Sequence, residues 1–487
     1  KNGIWGDFDV DGQTGPALLV SCLRELGAKV DFHIPIRSSE NHGIDPKYLV
    51  EFLQSGVTLL ISCDTGITAV EAVRLAQSRG VDVIITDHHS LTDNLPPAFA
   101  ILNPNQLPDE HPLSALSGVG TAFQLAKALL DLMAQSQMTE SLLDLVALGT
   151  VADLAKLNAE NRYLVQKGLQ QLRKNQRKGL KELLKLAEVN PENLTEEQIS
   201  FVIAPRMNSI GRLGNANSMV EFLTTKNDER ASELAMELEK LNNHRKMASE
   251  SIFKGAVRQL EQTPELVEYP ILVLAGNNWE AGINGIVASR LVSQFNKPAL
   301  VITKEPEGIA HGSARSIAGV NIFQLINLQK DILLNYGGHP MAAGFSLKTE
   351  FIEQFRERIN TSFQNIYPKM SLQNDLRIDA FLAFNSIDEE LTSSIEKLAP
   401  FGPGNPCIIL ASRHVQILHH TRIGKSRDHL KITARDFTGN SRDILWWNGD
   451  ETLLPNDEID FAYTVRAQGF GQNNNIQLEW VDWREVC

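Results

Sequence analysis

The sequence runs to 487 residues, about three domains at roughly 150 residues each, and 43% of it is hydrophobic, enough for several cores. Its 46 Lys and Arg against 59 Asp and Glu leave a net charge of −13. Bulk attraction to a polyanion is thereby excluded, and nucleic-acid binding would have to come from local basic patches or bound cations.

The four cysteines are scattered without a CxxC pair, against both a disulfide framework and a structural zinc. No stretch approaches the roughly 18 apolar residues of a membrane span, so the expectation is a cytoplasmic protein with no membrane partner. The sequence opens on Lys1 rather than Met, and a preceding segment is expected.

Through about residue 150, short β-branched runs alternate with amphipathic stretches: GIWGDFDV, GPALLVSCLRELG, KVDFHIPI, VTLLISCDTGI, ITAVEAVRLAQSRG, DVIITDHH and AFAILNP. That rhythm predicts a parallel sheet with crossover helices. From about Ser114 the pattern turns helical, and residues 228–262 combine charge with helix-period apolar positions and no proline, predicting a long connecting helix. A second α/β region runs from YPILVLAG through HGSARSIAG and NYGGHPMAAGFSL to about Tyr367. After the turn-rich PFGPGNP at 400–406, short strands with polar turns predict a small β-barrel up to Cys487. The boundaries read as 1–225, 226–265, 266–370 and 371–487.

The polar residues gather where the strands end, which is where open α/β sheets bind ligands. Asp7, Asp9 and Asp11 alternate as the first strand gives way to Gly12, a spacing that puts them on one face if the strand continues. Three like charges so close raise one another's pKa unless cations neutralise them; a solvated acidic turn is the plain alternative. Thr86-Asp87-His88-His89 ends a wholly apolar run, and Asp87 is placed to orient an imidazole. Asp64 and Asp153 are further candidates, although a lone Asp is ordinarily a cap or turn residue. Taken jointly, carboxylates plus imidazole without thiolate suit Mn²⁺, with Mg²⁺ as the alternative. Two such ions would activate water against a phosphoester. Gly118-Val119-Gly120 lacks the third glycine of a dinucleotide fingerprint, and neither a P-loop nor a nucleophile elbow is present.

The ordered series GDFDVDG, CDTGI, TDHH, GTVADLAKLNAENR, APRMNSIGRLGNA, WEAGINGIVASRL, GSARS and GGHPMAAG resembles the DHH/DHHA1 phosphoesterases over essentially the whole chain. Within that family the likeness is to single-strand-specific 5′→3′ DNA exonucleases. The resemblance implies two α/β domains, DHH (1–225) and DHHA1 (266–370), joined by a long helix (226–265) around a central cleft, with a C-terminal OB-like barrel (371–487). It implies Asp9, Asp11, Asp64, His88 and Asp153 as ligands of two metal ions, with Asp7 a ligand or close neighbour. His89 would contact the scissile phosphate or leaving group, and Asp87 would support it.

The same resemblance implies a 5′-phosphate pocket of Arg37, Ser313 and Arg315, a phosphate contact at Gly337, Gly338 and His339, and strand contacts from Arg206, Asn208 and Arg212. Residues 413–442 hold seven Lys/Arg against two acids. With Trp446 and Trp447 nearby, this suits single strands, Lys425, Arg427 and Lys431 being the named candidates; a solvated face and core tryptophans are the alternative reading. The implied activity is release of 5′-mononucleotides from single-stranded DNA, preferably 5′-phosphorylated, in repair and recombination, with a helicase or single-strand-binding protein as the class of protein partner. Two rivals are a phosphodiesterase of short oligoribonucleotides or cyclic dinucleotides, and a non-catalytic strand-binding scaffold. Thr65, Glu280 and ENHGI at 40–44 depart from the family pattern.

Overall fold

Five apolar runs of the N-terminal region pair in parallel as β1 (Asn2–Trp5), β2 (Val30–His33), β3 (Leu59–Cys63), β4 (Asp82–Thr86) and β5 (Ala100–Leu102), in the order β2-β1-β3-β4-β5. The computed structural model describes residues 1–37, 39–40, 42–174, 176–368, 375–424, 427–455, 457–467 and 476–486. The chain leaves β1 for β2 on one side and returns to β3 on the other, so the connections diverge above β1 and β3 and open a crevice there. The crossovers are α1 (Val10–Glu25), α2 (Pro46–Leu53) and α3 (Val70–Ser78). Three further helices follow: α4 (Gly118–Leu132), α5 (Leu143–Ala152) and α6 (Ala159–Lys174). Helix α1 is buried on nearly every face, between the sheet and α4 and α5.

The described chain divides into two compact units, one of residues 1–204, 217–232 and 375–487, the other of 205–216 and 233–374. In the second, β6 (Leu272–Asn277), β7 (Ala299–Lys304), β8 (Ile309–Arg315), β9 (Leu333–His339) and β10 (Ala342–Lys348) form a sheet in the order β6-β7-β8-β10-β9. Only β6 and β7 run parallel. Its core joins Leu300, Ile302, Phe345 and Leu347 to Phe355 and Ile359 of the helix Ile352–Ile366. The helix Asp228–Gln262 is continuous over 35 residues.

In the C-terminal region β11 (Ala380–Phe381) precedes β12 (Leu410–Ile423), β13 (His429–Arg435), β14 (Ser441–Trp446), β15 (Ile459–Ala467) and β16 (Ile476–Glu485). β12 pairs with both β13 and β15, closing β12-β13-β14-β16-β15 into a five-stranded barrel. Leu430, Ile432, Ile444, Phe461, Tyr463 and Leu478 fill it. The barrel belongs to the first unit and is tied to it through the backbone. Arg162 Nη2 donates to Leu398 O at 2.6 Å, Gln166 Nε2 to Ala399 O at 3.0 Å, and Phe401 N to Glu196 Oε1 at 2.8 Å. Among the described residues no helix is long and apolar enough to cross a membrane.

Candidate active site

The acidic motif is assembled differently from the strand alternation that its spacing suggested. β1 stops at Trp5 and α1 begins at Val10, so Asp7 lies in the connecting loop, Asp9 is the N-cap, and Asp11 sits in the first helical turn. Asp9 Oδ1 accepts the Gly12 N–H at 2.9 Å, satisfying one of the orphan donors of the helix start. Asp7 accepts its neighbour's N–H, from Phe8, at 2.7 Å, and its Oδ2 lies 3.4 Å from His42 Nδ1.

Asp11 points the other way, to the start of α4, where Gly118 N and Val119 N donate to its two oxygens at 2.7 and 2.8 Å. The GVG run discounted as a nucleotide fingerprint is therefore a cradle for a carboxylate. A Cβ at Gly118 would lie 2.5 Å from Asp64 Cβ, and one at Gly149 of α5 would lie 2.8 Å from Asp11 Oδ1. Only glycine leaves room for both acids at these two positions. Sequence reasoning missed Gly118, Val119, Gly149 and His42; the glycine pattern was visible, but its partner lies 107 residues away in sequence.

Asp64 follows β3 with φ 59°, a left-handed conformation that Asp tolerates better than most residues. His88 follows β4. Its Nε2 is 3.0 Å from Asp64 Oδ1 and 3.9 Å from Asp11 Oδ2, and its Nδ1 is 3.9 Å from Asp153 Oδ2. Asp153 caps the C-terminus of α5. His89 Nδ1 is held by Asp87 Oδ1 at 2.8 Å, while Asp87 Oδ2 accepts the Ile67 N–H at 2.9 Å.

Among the described residues two sets of ligand atoms lie close enough to hold a cation: Asp64, His88 and His89, and Asp11, His88 and Asp153. Asp7 and Asp9 belong to neither set, though their charges still act on Asp64.

Burial sets the electrostatics. Asp11 and Asp64 are 1% and 2% exposed. Desolvation, then the charge of Asp9, pushes the Asp11 carboxyl up to about 7. Desolvation and the charge of Asp11 raise Asp64, and the same two causes push Asp153 up to about 9. Burial lowers His88 to about 4, helped by the charge of His89, so His88 is neutral and able to ligate. The hydrogen bond to Asp87 raises His89 to about 9. Burial alone would raise Asp87, but the His89 hydrogen bond and charge and the Ile67 N–H leave it below the usual carboxylate range.

These residues fit divalent cations. Asp64 Oδ1 is buried and makes no hydrogen bond, yet His88 Nε2 faces it at 3.0 Å. Two ligand atoms aimed at common space among acids that cannot all ionise unaided is the arrangement a metal satisfies.

The other predicted residues belong to other elements of the two units. Arg37 stacks its guanidinium on Phe8, 3.9 Å from the ring centroid, and His42 packs 4.2 Å from the same ring. Ser313 and Arg315 share one face of β8, where register aligns Ser313 with Gly344 and Gly337, and Arg315 with Ala342 and His339. The small residues of β10 thus leave an open floor between β8 and the Gly337-Gly338-His339 end of β9. Arg315 also lies against Gly285, where a Cβ would be 2.8 Å from its Nη2.

Arg206 and Asn208 lie on the helix Ala204–Leu213, Arg206 paired with Glu239 at 2.6 Å. Arg212 Nη1 donates to Gly282 O at 2.9 Å. The departure at Glu280 forms an ion pair with His244 at 3.0 Å.

In the barrel, Lys431 pairs with Asp443 at 2.8 Å and Arg422 with Glu451 at 3.2 Å. Arg427 holds φ 57° in the turn before β13, and Lys425 lies outside the described residues. Trp446 stacks on Trp480 against the core, whereas Trp447 is 49% exposed.

The chain matches the DHH family, N-terminal domain over residues 1–150, the DHHA1 domain over 268–365 and the RecJ OB domain over 378–482. It is 38% identical over 478 residues to the single-stranded-DNA-specific exonuclease RecJ of Bacillus subtilis, covering 98% of this chain and 60% of that one. To the protein of the same name from Haemophilus influenzae it is 34% identical over 498 residues, covering 98% and 86%. It therefore spans about three fifths of the length of the first relative and most of the second. Among solved structures, Thermus thermophilus RecJ in complex with Mn²⁺ superposes with a TM-score of 0.83 at 28% identity, covering 100% of this chain and 69% of that one. An exonuclease RecJ bound to manganese gives 0.66 at 32% identity, covering 76% and 92%.

Proposed function

The chain belongs to the RecJ family of DHH/DHHA1 phosphoesterases, and on that premise we propose that it is a metal-dependent exonuclease degrading single-stranded DNA 5′→3′ to 5′-mononucleotides. The observation that carries the reading is the convergence of Asp11, Asp64, His88 and Asp153 at the β1/β3 crevice, where buried Asp11 and Asp64 and half-buried Asp153 all lie within ion-pair distance of the half-buried His88 ring.

Asp9, Asp11, Asp64, His88 and Asp153 would hold two ions, Mn²⁺ or Mg²⁺, with Asp7 beside them. Bound there, the ions supply Lewis acidity, lowering the pKa of water and neutralising charge on the phosphoryl oxygens. The protein's own groups do the rest. The Gly118 and Val119 N–H groups fix the Asp11 carboxylate before substrate arrives, so no reorganisation is needed at the moment of reaction. Asp87 orients His89 through Nδ1 and keeps it protonated at neutral pH, leaving Nε2–H to donate to a phosphate oxygen or the departing 3′ oxygen.

Ser313 and Arg315, on one face of β8, are the proposed ligands of a terminal 5′-phosphate in the second unit. Arg37, braced on Phe8, has the same role in the first. Arginine suits it through its planar fork of donors. Gly337, Gly338 and His339 serve a phosphate along the strand, and Arg206, Asn208 and Arg212 its backbone. The work lies in the cytoplasm, in repair and recombination, with a helicase or single-strand-binding protein supplying or holding the strand.

The test is digestion of end-labelled DNA with Mn²⁺. Mononucleotides released from the 5′ end of a long single strand, with duplex spared, are expected. Preference for dinucleotides would replace this reading by the oligonucleotide phosphodiesterase, and strand binding without release would replace it by the scaffold.

A further inference from the structure

Outside the acidic centre, one face of the helix Asp228–Gln262 gathers cations against the helix Ala204–Leu213. Glu239, Asn242 and Lys246 stand at i, i+3 and i+7, one stripe of an α-helix, with Arg245 beside them. Arg206 reaches this stripe from the second helix, its Nε 2.6 Å from Glu239 Oε2. Arg245 Nη2 donates to Asn242 Oδ1 at 3.0 Å.

Two donors in the cluster go unmet. Asn242 is fully buried and its Nδ2 has no acceptor, and Arg245 Nε is buried without one either. Among the described residues no ion pair joins Arg245 or Lys246 to a carboxylate, and the charge of Glu239 acts on Lys246. Burial, then the charge of Arg206, holds Arg245 below the usual arginine range, and the same two causes lower Lys246. Like charges packed around buried, unmet donors are the complement of an anion.

We propose that Asn242, Arg245 and Lys246, with Arg206, form a second phosphate site that takes an internal phosphodiester of the strand, a deepening that rests on the substrate reading above. Arg206 was already a strand candidate; the helix residues make it part of a built site. Lys246 is exposed and supplies the entry charge, Arg245 the planar fork, and Asn242 fixes that fork from below.

The experiment measures binding of a fluorescent single-stranded oligonucleotide to the full chain in chelator, by anisotropy, across a range of NaCl. Removing one phosphate-neutralising charge lowers the steepness of log K against log salt by about 0.7 for single strands. Lys246→Gln is expected to weaken binding severalfold and to flatten the slope by that amount. Asn242→Asp, which sets a second carboxylate among the cations, is expected to weaken binding further.

The ratio of affinities for 5′-phosphorylated and 5′-hydroxyl strands stays as in the wild type, because the site does not serve the terminus. Lys246 is on the surface, so its variant keeps the test alive if Asn242→Asp does not fold. Wild-type slope and affinity in Lys246→Gln would overturn the proposal. So would inorganic phosphate that, at matched ionic strength, displaces the strand equally from wild type and from Lys246→Gln, since the phosphate-binding group would then lie elsewhere. A wild type that binds no strand at all would defeat the substrate reading itself.

Discussion

At the carboxyl ends of β1, β3 and β4, acids are buried together, and the ion pairs among the described residues bring them only imidazoles. Along the barrel the arrangement is reversed. Arg422, Lys431 and Arg466 stand at or near the surface, each beside a carboxylate of its own: Glu451, Asp443 and Glu479. The first region keeps unresolved charge that an outside cation would settle. In the second these three charges are settled internally, and exposed pairs of that kind contribute little individually. Chemistry therefore concentrates where the chain leaves its own electrostatics unfinished, and a basic composition alone marks no site.

The largest effect is expected at the crevice. Asp64→Ala should lower hydrolysis of single-stranded DNA by roughly 10³-fold or more, as loss of a metal ligand does, with the far-ultraviolet circular dichroism unchanged. Turnover near wild type would remove Asp64 from the ligand set.

Gly118→Ala leaves every acid in place but pushes a methyl group against Asp64. A displacement near 1 Å at a reacting centre costs on the order of 10²-fold, so steady-state rates should fall by about that factor, with about 1–3 kcal/mol of stability lost to overpacking. An unaffected rate would mean that the cradle is incidental.

Acidity sharpens the contrast. An acid whose folded pKa lies above its unfolded value holds its proton longer in the native state, so stability falls as pH rises between the two. For Asp11 that window runs from 3.8 to about 7, and for Asp153 from 3.8 to about 9. His89 is raised from 6.5 to about 9, so its contribution is full below 6.5 and is lost as pH passes 9. All three act in one direction, and Asp11 and Asp153 outweigh His88, whose pKa, lowered from 6.5 to about 4, opposes them only below 6.5. Metal-free protein should melt at progressively lower temperature as pH rises from 5 to 8, and Mn²⁺ should raise the melting temperature more at pH 8 than at pH 5. Equal metal effects at both would contradict these electrostatics.

The smallest effect is expected in the barrel: Lys431→Gln should change strand affinity less than about twofold, because Lys431 already spends its charge on Asp443. A large loss in filter binding would show that the strand displaces Asp443.

Much of this was legible in the sequence, for identifiable reasons. Apolar runs ending in Asp or His marked the sheet edge, since a polar group after a buried strand has to emerge at its end, and Asp64 and His88 meet as that pattern suggests, with Asp153 reaching His88 from the end of a helix. Alternation misled at Asp7, Asp9 and Asp11, because a turn and a helix start, not a continued strand, arrange them. The cradle at Gly118 and Gly149 was hidden, since its function depends on contacts between distant segments. The excess of five basic residues in 413–442 overstated the charge of the barrel because the partners of Lys431 and Arg422, Asp443 and Glu451, lie just beyond that stretch.

The most direct measurement is anomalous diffraction at the manganese edge from crystals grown with Mn²⁺. Two peaks roughly 3.5–4 Å apart, one among Asp64, His88 and their neighbours and one among Asp11, His88 and Asp153, are the expected result. No peak among these residues, under conditions where the protein digests single strands, would contradict the account.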